Sequence, residues 1–517
     1  MPLYPLNREQ SWLLPPTLND LIPGDHPARF VAEFVDALDR MVWAEMGIDL
    51  EGNPLGAPAY HPRALLSVWL YGFMTGTRTS RKLEIACRDQ MPYLWLTGWE
   101  YPDHNTLWRF YKEHRAFMRG LFKRTVRTAV NMGLVDMAVQ AIDGTKIAGN
   151  ASKDRTYDAA QLQRLLEKTE TAIKDLEAQN ETGAEPPPVH LPKELADKQR
   201  LRVQVKAAME GLAEEDKKRV NLTDSDTGLL KASRRQGMVA GYNLEAAVSH
   251  TKVSEAGKRN LVITAVDVGP QQSDINELVP MLEQSEGNME TRTDMSLADA
   301  GFHSGPNLEA CEQRRQVVVM PEPQEKALEN PFHKDHFVYD CNSDSYVCPH
   351  GQTLKFNRMK YTRSTLMRQY CASGTTCRGC PAFGNCTKDH RGRRLEIGPH
   401  EAQLRRHRQW MATQEAKDAY RQRMILPEPA FGILKEQQGA RRFLLRGLAN
   451  VRAEAILLAT AFNLRSLHSW WKEWSAERQR TLICSVRAAN HLCHPAMNWL
   501  SDVSLGESAA TISAVAS

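Results

Sequence analysis

The chain has 517 residues, which is too long for a single ordinary hydrophobic core and predicts two or three domains. Hydrophobic residues make up 42% of the chain and charged residues 25%, as in water-soluble globular proteins. The longest apolar run, residues 455–464, is much shorter than the roughly 20 residues that cross a bilayer, so we expect no membrane segment. The N-terminus lacks the basic start and apolar core of a signal peptide, and we therefore expect a cytoplasmic protein.

The net charge of +4 is spread unevenly along the chain. Residues 351–490 contain 26 Lys and Arg against 10 Asp and Glu, a local net charge of +16 that leaves −12 for the remainder. Such asymmetry predicts a polyanionic partner for the C-terminal part, most simply nucleic acid. A solvated basic surface without a partner is the alternative.

Residues 1–135 are predicted to form a helical N-terminal domain. Residues 61–74 have a proline near the helix start and apolar residues at helical spacing, and a shorter helix is predicted over 77–89. Residues 102–130 begin with capping residues and continue as a basic helical stretch. Short helices joined by tight turns are typical of a helix-turn-helix-like DNA-binding bundle, although a plain helical domain fits the same pattern.

The pattern changes at residue 136 and predicts an α/β domain that extends to residue 475. Residues 137–149 are predicted as a buried strand in which Asp143 ends the strand and Gly144 makes a turn. Two leucine-rich segments between about 155 and 220, separated by the proline-rich residues 185–192, predict an inserted helical hairpin.

Strands and helices alternate after this hairpin, which predicts a mixed sheet. Strands are expected at 242–250, 260–269 and 316–323, with helices at 274–284 and 307–315, and residues 294–305 are expected to form a strand that ends at Asp299 and runs into a turn. A Cys-rich insertion is predicted over about 335–395, followed by a helix with a basic start over 441–474. Residues 476–517 are predicted to form a C-terminal helix and a disordered tail.

Three acidic residues, far apart in sequence, are candidates for a metal site. Asp143 and Asp299 each close a predicted strand, and Glu428 lies between two prolines at a predicted helix start. Carboxylates on neighbouring elements suit Mg²⁺ or Mn²⁺, and two such ions roughly 3.5–4 Å apart catalyse phosphodiester chemistry. The alternative is that both aspartates are ordinary turn formers.

Several motifs, in this order along the chain, resemble those of a DDE-type transposase of a bacterial insertion sequence. They are "AIDGTKI" (141–147), "GYN" (241–243), "LADAGFHS" (297–304), "EPAFGILKE" (428–436) and "RRFLLRGLANVRAE" (441–454), preceded by "YHPRALLSVWLYGFMTGTRTSRKLE" (60–84) and "PDHNTLWRF" (102–110). The resemblance implies a ribonuclease-H-like catalytic domain with an N-terminal helical domain, covering nearly all of the chain.

The resemblance also implies roles for individual residues. Asp143, Asp299 and Glu428 would be the triad that binds Mg²⁺ or Mn²⁺. Tyr420, Arg423, Glu428 and Lys435 fill the Tyr-Arg-Glu-Lys helix signature, except that four residues instead of three separate Arg423 from Glu428. Lys435 lies seven residues beyond Glu428, which would place both on one helical face, so that Lys435 could hold a phosphate near the metals.

The implied activity is transposition. The protein would bind the terminal inverted repeats of its element as a homodimer on double-stranded DNA, cleave the backbone by two-metal hydrolysis, and join the 3′ ends to target DNA. Candidate phosphate contacts, each of which could instead be a plain exposed charge, are Arg109, Lys146, Arg441, Arg442 and Arg446. The alternatives are a metal-dependent nuclease without strand transfer and a non-catalytic DNA-binding protein derived from a transposase.

Clustered cysteines in the Cys-rich insertion indicate a metal site rather than disulfides. Cys348, Cys377, Cys380 and Cys386 could close a structural tetrahedral zinc site, since Cys377 and Cys380 form a C-x2-C pair. One of these ligands could be replaced by Cys341, Cys371, His350 or His390. Free buried thiols and an iron–sulfur cluster are the alternatives.

Overall fold

The computed structural model describes residues 17–50, 59–181, 193–214, 218–233, 237–253, 257, 259–323, 329–362 and 365–492. Among the described residues before 132, the α-helices are α1 (Pro27–Asp36), α2 (Arg40–Glu45), α3 (Pro62–Thr75), α4 (Ser80–Asp89), α5 (Met91–Thr97), α6 (His104–His114) and α7 (Arg119–Asn131). Helix α3 starts as the sequence predicts, with a proline in its first turn, and ends at Gly76 in the left-handed conformation (φ +82°).

A mixed sheet of six strands follows the helices and confirms the predicted α/β class. Its strands and the elements between them are β1 (Val135–Ala148), β2 (Thr156–Tyr157), α8 (Ala159–Glu181), α9 (Lys193–Glu214), β3 (Val220–Asn221), β4 (Gly228–Ser233), β5 (Gly237–Thr251), β6 (Leu261–Gly269), α10 (Leu278–Met289), β7 (Met295–Leu297), α11 (Gly305–Gln313) and β8 (Val317–Val319). The strand order is β4-β5-β1-β7-β8. Strand β6 also pairs with β5, along residues 243–250, which follow the residues 237–241 that pair with β4. Strand β1 is antiparallel to β5 and parallel to β7, an arrangement consistent with a ribonuclease-H-like fold.

Strand β1 does not end at Asp143, so the predicted turn at Gly144 is wrong. Asp143 pairs with Ala246 and Gly144 pairs with Glu245 in an unbroken antiparallel ladder that continues to Ala148. The glycine is needed for space rather than for a turn, because a Cβ at position 144 would lie 2.5 Å from a carboxylate oxygen of Glu245.

The two faces of the sheet have separate cores, because successive side chains of a strand point to opposite faces. On the first face, Ala141 and Leu244 pack in one cluster with Trp69 of the N-terminal helices and with Phe462. On the second face, Ile142 packs in a smaller cluster with residues of β5, β6, α10 and α11. The N-terminal helices therefore share a core with the sheet, and the domain boundary near residue 135 stays a prediction.

The helical hairpin predicted between about 155 and 220 is formed by α8 and α9. Leu162 of α8 and Val205 of α9 are buried in a small core that includes Val220. The short strands β2 and β3 pair at the base of the hairpin, with Thr156 opposite Asn221. The predicted proline-rich tip, residues 185–192, lies outside the described residues.

The Cys-rich insertion contains a second sheet that the sequence analysis does not predict. It comprises β9 (Val338–Asp340), β10 (Ser345–Val347), β11 (Thr353–Thr362), β12 (Thr365–Cys371), α12 (Gly374–Arg378) and β13 (Arg394–Ile397). The five strands are antiparallel in the order β13-β12-β11-β10-β9. Phe337, Tyr370 and Leu395 are buried in its own core, so the insertion is a packed unit.

The chain returns to the first sheet through four helices. These are α13 (Glu401–Ala412), α14 (Gln414–Arg421), α15 (Pro427–Gly432) and α16 (Leu448–Leu492), and a π-helical turn, Ile433–Gln437, extends α15. Helix α16 starts later than the predicted residue 441 and continues across residue 475, where the sequence analysis places a boundary. The predicted disordered tail beyond residue 492 lies outside the described residues. Within the described part of the chain, no helix has the length and apolar character needed to cross a membrane.

Candidate active site

Asp143 lies in the middle of β1 on the first face of the sheet, where α15 packs against β1 and β5. Its side chain is 15% exposed. One carboxylate oxygen accepts a hydrogen bond from the backbone N–H of Gly144 at 2.9 Å. Since β1 is held by β5 on one side and β7 on the other, the carboxylate is fixed by a rigid strand rather than by a loop.

Asp299 follows β7, the parallel neighbour of β1, and caps a short 3-10 helix over Ala300–Phe302. Its Oδ1 accepts a hydrogen bond from the backbone N–H of Gly301 at 2.7 Å. The side chain is 36% exposed, so Asp299 is the more accessible of the two aspartates. The position after a strand end is the one that the sequence analysis predicts.

A single nitrogen of Arg423 joins the two aspartates. Arg423 Nη2 lies 2.9 Å from Asp143 Oδ1 and 3.8 Å from Asp299 Oδ2. The three residues come from β1, from the turn after β7 and from the segment between α14 and α15. Residues that are 156 and 124 positions apart in sequence therefore meet at one point, and a positive charge already lies between the two carboxylates.

The environment of Asp143 disfavours the ionised form of its carboxyl group. Burial, together with the nearby charge of Asp299, raises the pKa of Asp143 to about 6, although Arg423 opposes the rise. A perturbed carboxyl with a specific charge partner in a cleft is typical of functional sites.

Glu428 lies in the first turn of α15, as predicted from its flanking prolines, and is exposed. Across the described ranges, no group of three or more His, Cys, Asp or Glu side chains is arranged to hold a metal ion. The structure therefore assembles two acids of the predicted triad and leaves the third on the adjoining helix.

Lys435 reaches β1 from the π-helical turn. Its Nζ donates a hydrogen bond to Thr145 Oγ1 at 2.5 Å, two residues beyond Asp143 on the same face of the strand. Burial lowers the pKa of Lys435, and the neighbouring Arg441 adds to this effect. The π turn interrupts the regular helix that the sequence analysis assumes between Glu428 and Lys435, and such turns occur frequently at functional sites. Tyr420 of α14 is half-buried and packs against the core on the first face of the sheet.

Two further carboxyl groups, which the sequence analysis missed, lie close by on the second face. Glu245 of β5 is 2% exposed and lies directly across from Gly144. Asn243 donates hydrogen bonds to Glu245 and to Asp274 Oδ1, the latter at 2.6 Å. Burial raises the pKa of Glu245 to about 9, and the charge of Asp274 adds to the rise. The motif "GYNLE" contains Glu245, but an acid in an otherwise apolar strand gives no sign of which face it occupies.

Lys146, a predicted DNA contact, lies on this second face and is engaged within the protein. Its Nζ donates to Asn243 Oδ1 at 2.8 Å and pairs with Asp274 Oδ1 at 3.0 Å. Both side chains of the ion pair are 15% exposed.

The other predicted DNA contacts lie at the surface. Arg109 is exposed on α6, and Arg442 is exposed before α16. Arg441 is exposed and pairs with Glu436 at 2.7 Å, and Arg446 Nε donates to the carbonyl of Asn150 at 3.0 Å.

The segment that carries Arg441, Arg442 and Arg446 is anchored by a buried ion pair. Glu454 of α16 accepts hydrogen bonds from the backbone N–H groups of Leu444 and Leu445 and pairs with Arg78 at 2.7 Å. Arg78 in turn donates to the carbonyl of Arg442 at 3.0 Å. The basic segment is therefore an ordered surface that is attached to the N-terminal helices.

The four predicted zinc ligands line one small cavity in the Cys-rich insertion. Cys348, Cys377, Cys380 and Cys386 surround it together with aromatic residues. Burial raises the pKa of the Cys386 thiol, with smaller contributions from the other three cysteines. Two sulfurs accept backbone N–H groups, Cys348 from Gln352 at 3.3 Å and Cys377 from Arg393 at 3.4 Å. The cysteines are thus neighbours, although they do not adopt a metal-binding arrangement.

Comparison with known proteins gives two matches to family models. Residues 347–468 match a transposase DDE domain, and residues 16–113 match a transposase domain designated DUF772. The first match includes Arg423, Glu428 and Lys435, whereas Asp143 and Asp299 lie between the two matched stretches. No curated protein matches the chain.

Proposed function

We propose that the chain, which matches two transposase domain models, is a DDE-type insertion-sequence transposase in which Asp143, Asp299 and Glu428 form the catalytic triad. The protein would bind the terminal inverted repeats of its element, cleave the DNA backbone there and join the freed 3′ ends to target DNA. The observation that supports this most strongly is the meeting of Asp143 and Asp299 at one Arg423 nitrogen, at 2.9 and 3.8 Å.

The aspartate pair suits a hard divalent cation. Both ligands are carboxylates, which Mg²⁺ and Mn²⁺ prefer, and both already face one positive charge. Glu428 would supply the third carboxylate from the helix that follows Arg423. When bound, Mg²⁺ would activate the attacking oxygen and stabilise the leaving one.

The residues of the chain would position the DNA for two successive reactions. In the first, water attacks a backbone phosphorus atom and the bond to the 3′ oxygen breaks, leaving a 3′-hydroxyl and a 5′-phosphate. In the second, that 3′-hydroxyl attacks a target phosphodiester, forms a new bond and releases a target 3′-hydroxyl. Lys435, half-buried and bonded to Thr145 two residues beyond Asp143, would hold a phosphate oxygen, and Arg423 would do the same once it leaves the aspartates.

DNA binding would use the basic C-terminal part and the N-terminal helices together. Arg441, Arg442 and Arg446 lie on the ordered segment anchored by Glu454, and Arg109 lies on an exposed face of α6. Contacts to the DNA backbone fix the orientation of a protein on the duplex without reading the base sequence. Because two transposon ends must be brought together, we propose that two copies of the chain act on the DNA.

A cleavage and joining assay tests the proposal. Wild-type protein should cut a labelled end of its element in Mg²⁺ and join it to a target plasmid, whereas Asp299→Ala should bind the end without cutting it. Cutting without joined products would favour the nuclease alternative. Binding without any cutting by wild type would favour the non-catalytic alternative, and unchanged cutting by Asp299→Ala would remove this residue from the triad.

We also propose that Cys348, Cys377, Cys380 and Cys386 hold a structural Zn²⁺. The support is that all four line one cavity and that two of the sulfurs accept backbone N–H groups, as zinc-bound thiolates commonly do. Elemental analysis of purified protein should find one zinc per chain, and Cys380→Ser should lose it. Absence of stoichiometric zinc and iron would leave four free thiols as the correct interpretation.

A further inference from the structure

We infer that Lys146, Asp274 and Asn307 form a brace that fixes the position of Asp299 relative to Asp143, and that Lys146 is a positioning residue rather than a DNA contact. The brace consists of these three side chains together with the backbone carbonyls of Ile275 and Phe302. The inference rests on the proposed role of Asp143 and Asp299 as cation ligands.

The first half of the brace ties β1 to the loop before α10. Lys146 lies three residues after Asp143 on the same strand, and its Nζ pairs with Asp274 Oδ1 at 3.0 Å. Asn243 of β5 bonds both partners, accepting from Lys146 at 2.8 Å and donating to Asp274 at 2.6 Å. A largely buried ion pair with an additional hydrogen-bond partner has a defined geometry, so the loop is held at a fixed distance from β1.

The second half ties the same loop to the turn that carries Asp299. Asn307 of α11 is 7% exposed, and its amide nitrogen donates to the carbonyl of Ile275 at 2.6 Å and to that of Phe302 at 2.7 Å. Ile275 is the residue after Asp274, and Phe302 ends the 3-10 helix that Asp299 caps. One buried side chain therefore links the loop and the turn directly.

The two halves converge beside Asp299. A Cβ placed on Gly301 would lie 2.9 Å from Asp299 Oδ1 and 3.7 Å from Asp274 Oδ2, so the two carboxylates lie close together on the same side of this glycine. Strand β7 has only three residues, and the 3-10 helix that follows it has three more. Pairing with β1 and β8 fixes β7 itself, and the brace adds the contacts that position the turn after it.

The same contacts argue against a DNA role for Lys146. Its side chain is 15% exposed, and two of its three N–H groups already bond to Asn243 and Asp274. A phosphate contact would leave Asp274 as a largely buried carboxylate without its partner cation, which is costly. Arg442, exposed on the basic segment, serves as the matched residue because its removal also deletes one positive charge.

Manganese binding and DNA binding, measured separately on the full chain, test the brace. Lys146→Met should weaken Mn²⁺ binding, measured by calorimetry, by about 10- to 100-fold, because removing a residue that positions a metal ligand costs about that factor. Its affinity for a fluorescein-labelled random-sequence duplex, and the dependence of that affinity on salt, should stay unchanged. Arg442→Met should show the opposite, with unchanged Mn²⁺ binding and a salt slope reduced by about one.

A second variant avoids reliance on Lys146 alone. Asn307→Asp keeps the side-chain shape but removes both donated hydrogen bonds, and residue 307 is bonded to backbone carbonyls rather than facing DNA. It should weaken Mn²⁺ binding as Lys146→Met does, with thermal melts showing that the variant still folds. If Lys146→Met does not fold, Asn307→Asp carries the test.

The outcomes separate the brace from the proposed function. If wild type does not bind Mn²⁺, or if Asp299→Ala binds it equally well, the proposed metal ligands are wrong. If Asp299→Ala loses Mn²⁺ while Lys146→Met and Asn307→Asp retain wild-type binding, only the brace is overturned. A reduced salt slope for Lys146→Met would also overturn it, since that result marks a phosphate contact.

Discussion

Each face of the β1–β5 strand pair has two carboxyl groups near it, one on the strands and one from an adjacent turn or loop. On the first face, Asp143 and Asp299 are 15% and 36% exposed and share a guanidinium from a separate segment of the chain. On the second face, Glu245 is 2% exposed, and Asp274 is paired with Lys146 of β1 itself. Asp143 and Asp274 are equally exposed, at 15%, so the pairs differ in their other members, the accessible Asp299 on the first face and the buried Glu245 on the second. The exposure of these two acids and the origin of the partner charge separate a pair suited to a cation from a pair that stabilises the structure.

The largest expected effect contrasts Asp143 with Glu245. Asp143→Asn should reduce cleavage of a labelled DNA end by more than about 100-fold, because even the loss of an outer partner of a metal ligand costs up to that factor. Glu245→Gln should change cleavage by less than about 10-fold, since glutamine still offers an oxygen to Asn243 and can donate to Asp274. Initial rates at saturating Mg²⁺ provide the measurement. Equal losses for the two variants would show that both faces serve the reaction directly.

A steric prediction concerns the glycine that separates the two faces. Gly144→Ala would put a Cβ 2.5 and 2.7 Å from the carboxylate oxygens of Glu245 and should lower the free energy of unfolding by about 1–3 kcal/mol. The control is Gly211 of α9, where nothing lies within 4 Å and alanine should raise that free energy by up to about 1 kcal/mol. Urea denaturation measures both. A cost for Gly144→Ala below about 0.5 kcal/mol would mean that Glu245 moves aside freely.

A smaller effect is expected in the pH dependence of the free energy of unfolding, which arises from the proton on Glu245. Its pKa is raised from 4.5 to about 9 in the folded protein, so the fold retains a proton that the unfolded chain releases. Wild-type stability should therefore fall as pH rises through this window, by at most about 1.4 kcal/mol per unit for one proton. Glu245→Gln lacks this proton, and its stability relative to wild type should increase between about pH 5 and about pH 9. A pH-independent difference in urea denaturation would contradict the retained proton.

Local sequence signals predict the elements that surround the site better than the site itself. Pro62 and the apolar spacing after it mark α3, and the leucine repeats mark the α8–α9 hairpin, because each depends on neighbours in sequence. The meeting of Asp143 and Asp299 follows from strand order, since Asp143 lies on β1 and Asp299 follows β7, its neighbour in the mixed sheet. The helix signature also predicts Arg423 as a site residue, despite the extra residue that separates it from Glu428.

The second face could not be predicted in the same way. Gly144 resembles a turn residue in sequence, yet it is a strand residue whose missing side chain makes room for Glu245. Lys146 resembles an exposed charge, yet its partners Asn243 and Asp274 are 97 and 128 residues away. Cross-strand and loop contacts of this range leave no periodic pattern, and the same holds for the short strands of the Cys-rich insertion.

Glu428 gives the most direct test of the triad, because it is the acid that is exposed and separate from the aspartate pair. The measurement is cleavage of a labelled transposon end in Mg²⁺ by wild type and by Glu428→Gln, with end binding followed in parallel. We expect wild type to cut and Glu428→Gln to bind the end without cutting it. Cleavage by Glu428→Gln at the wild-type rate would contradict the proposed triad.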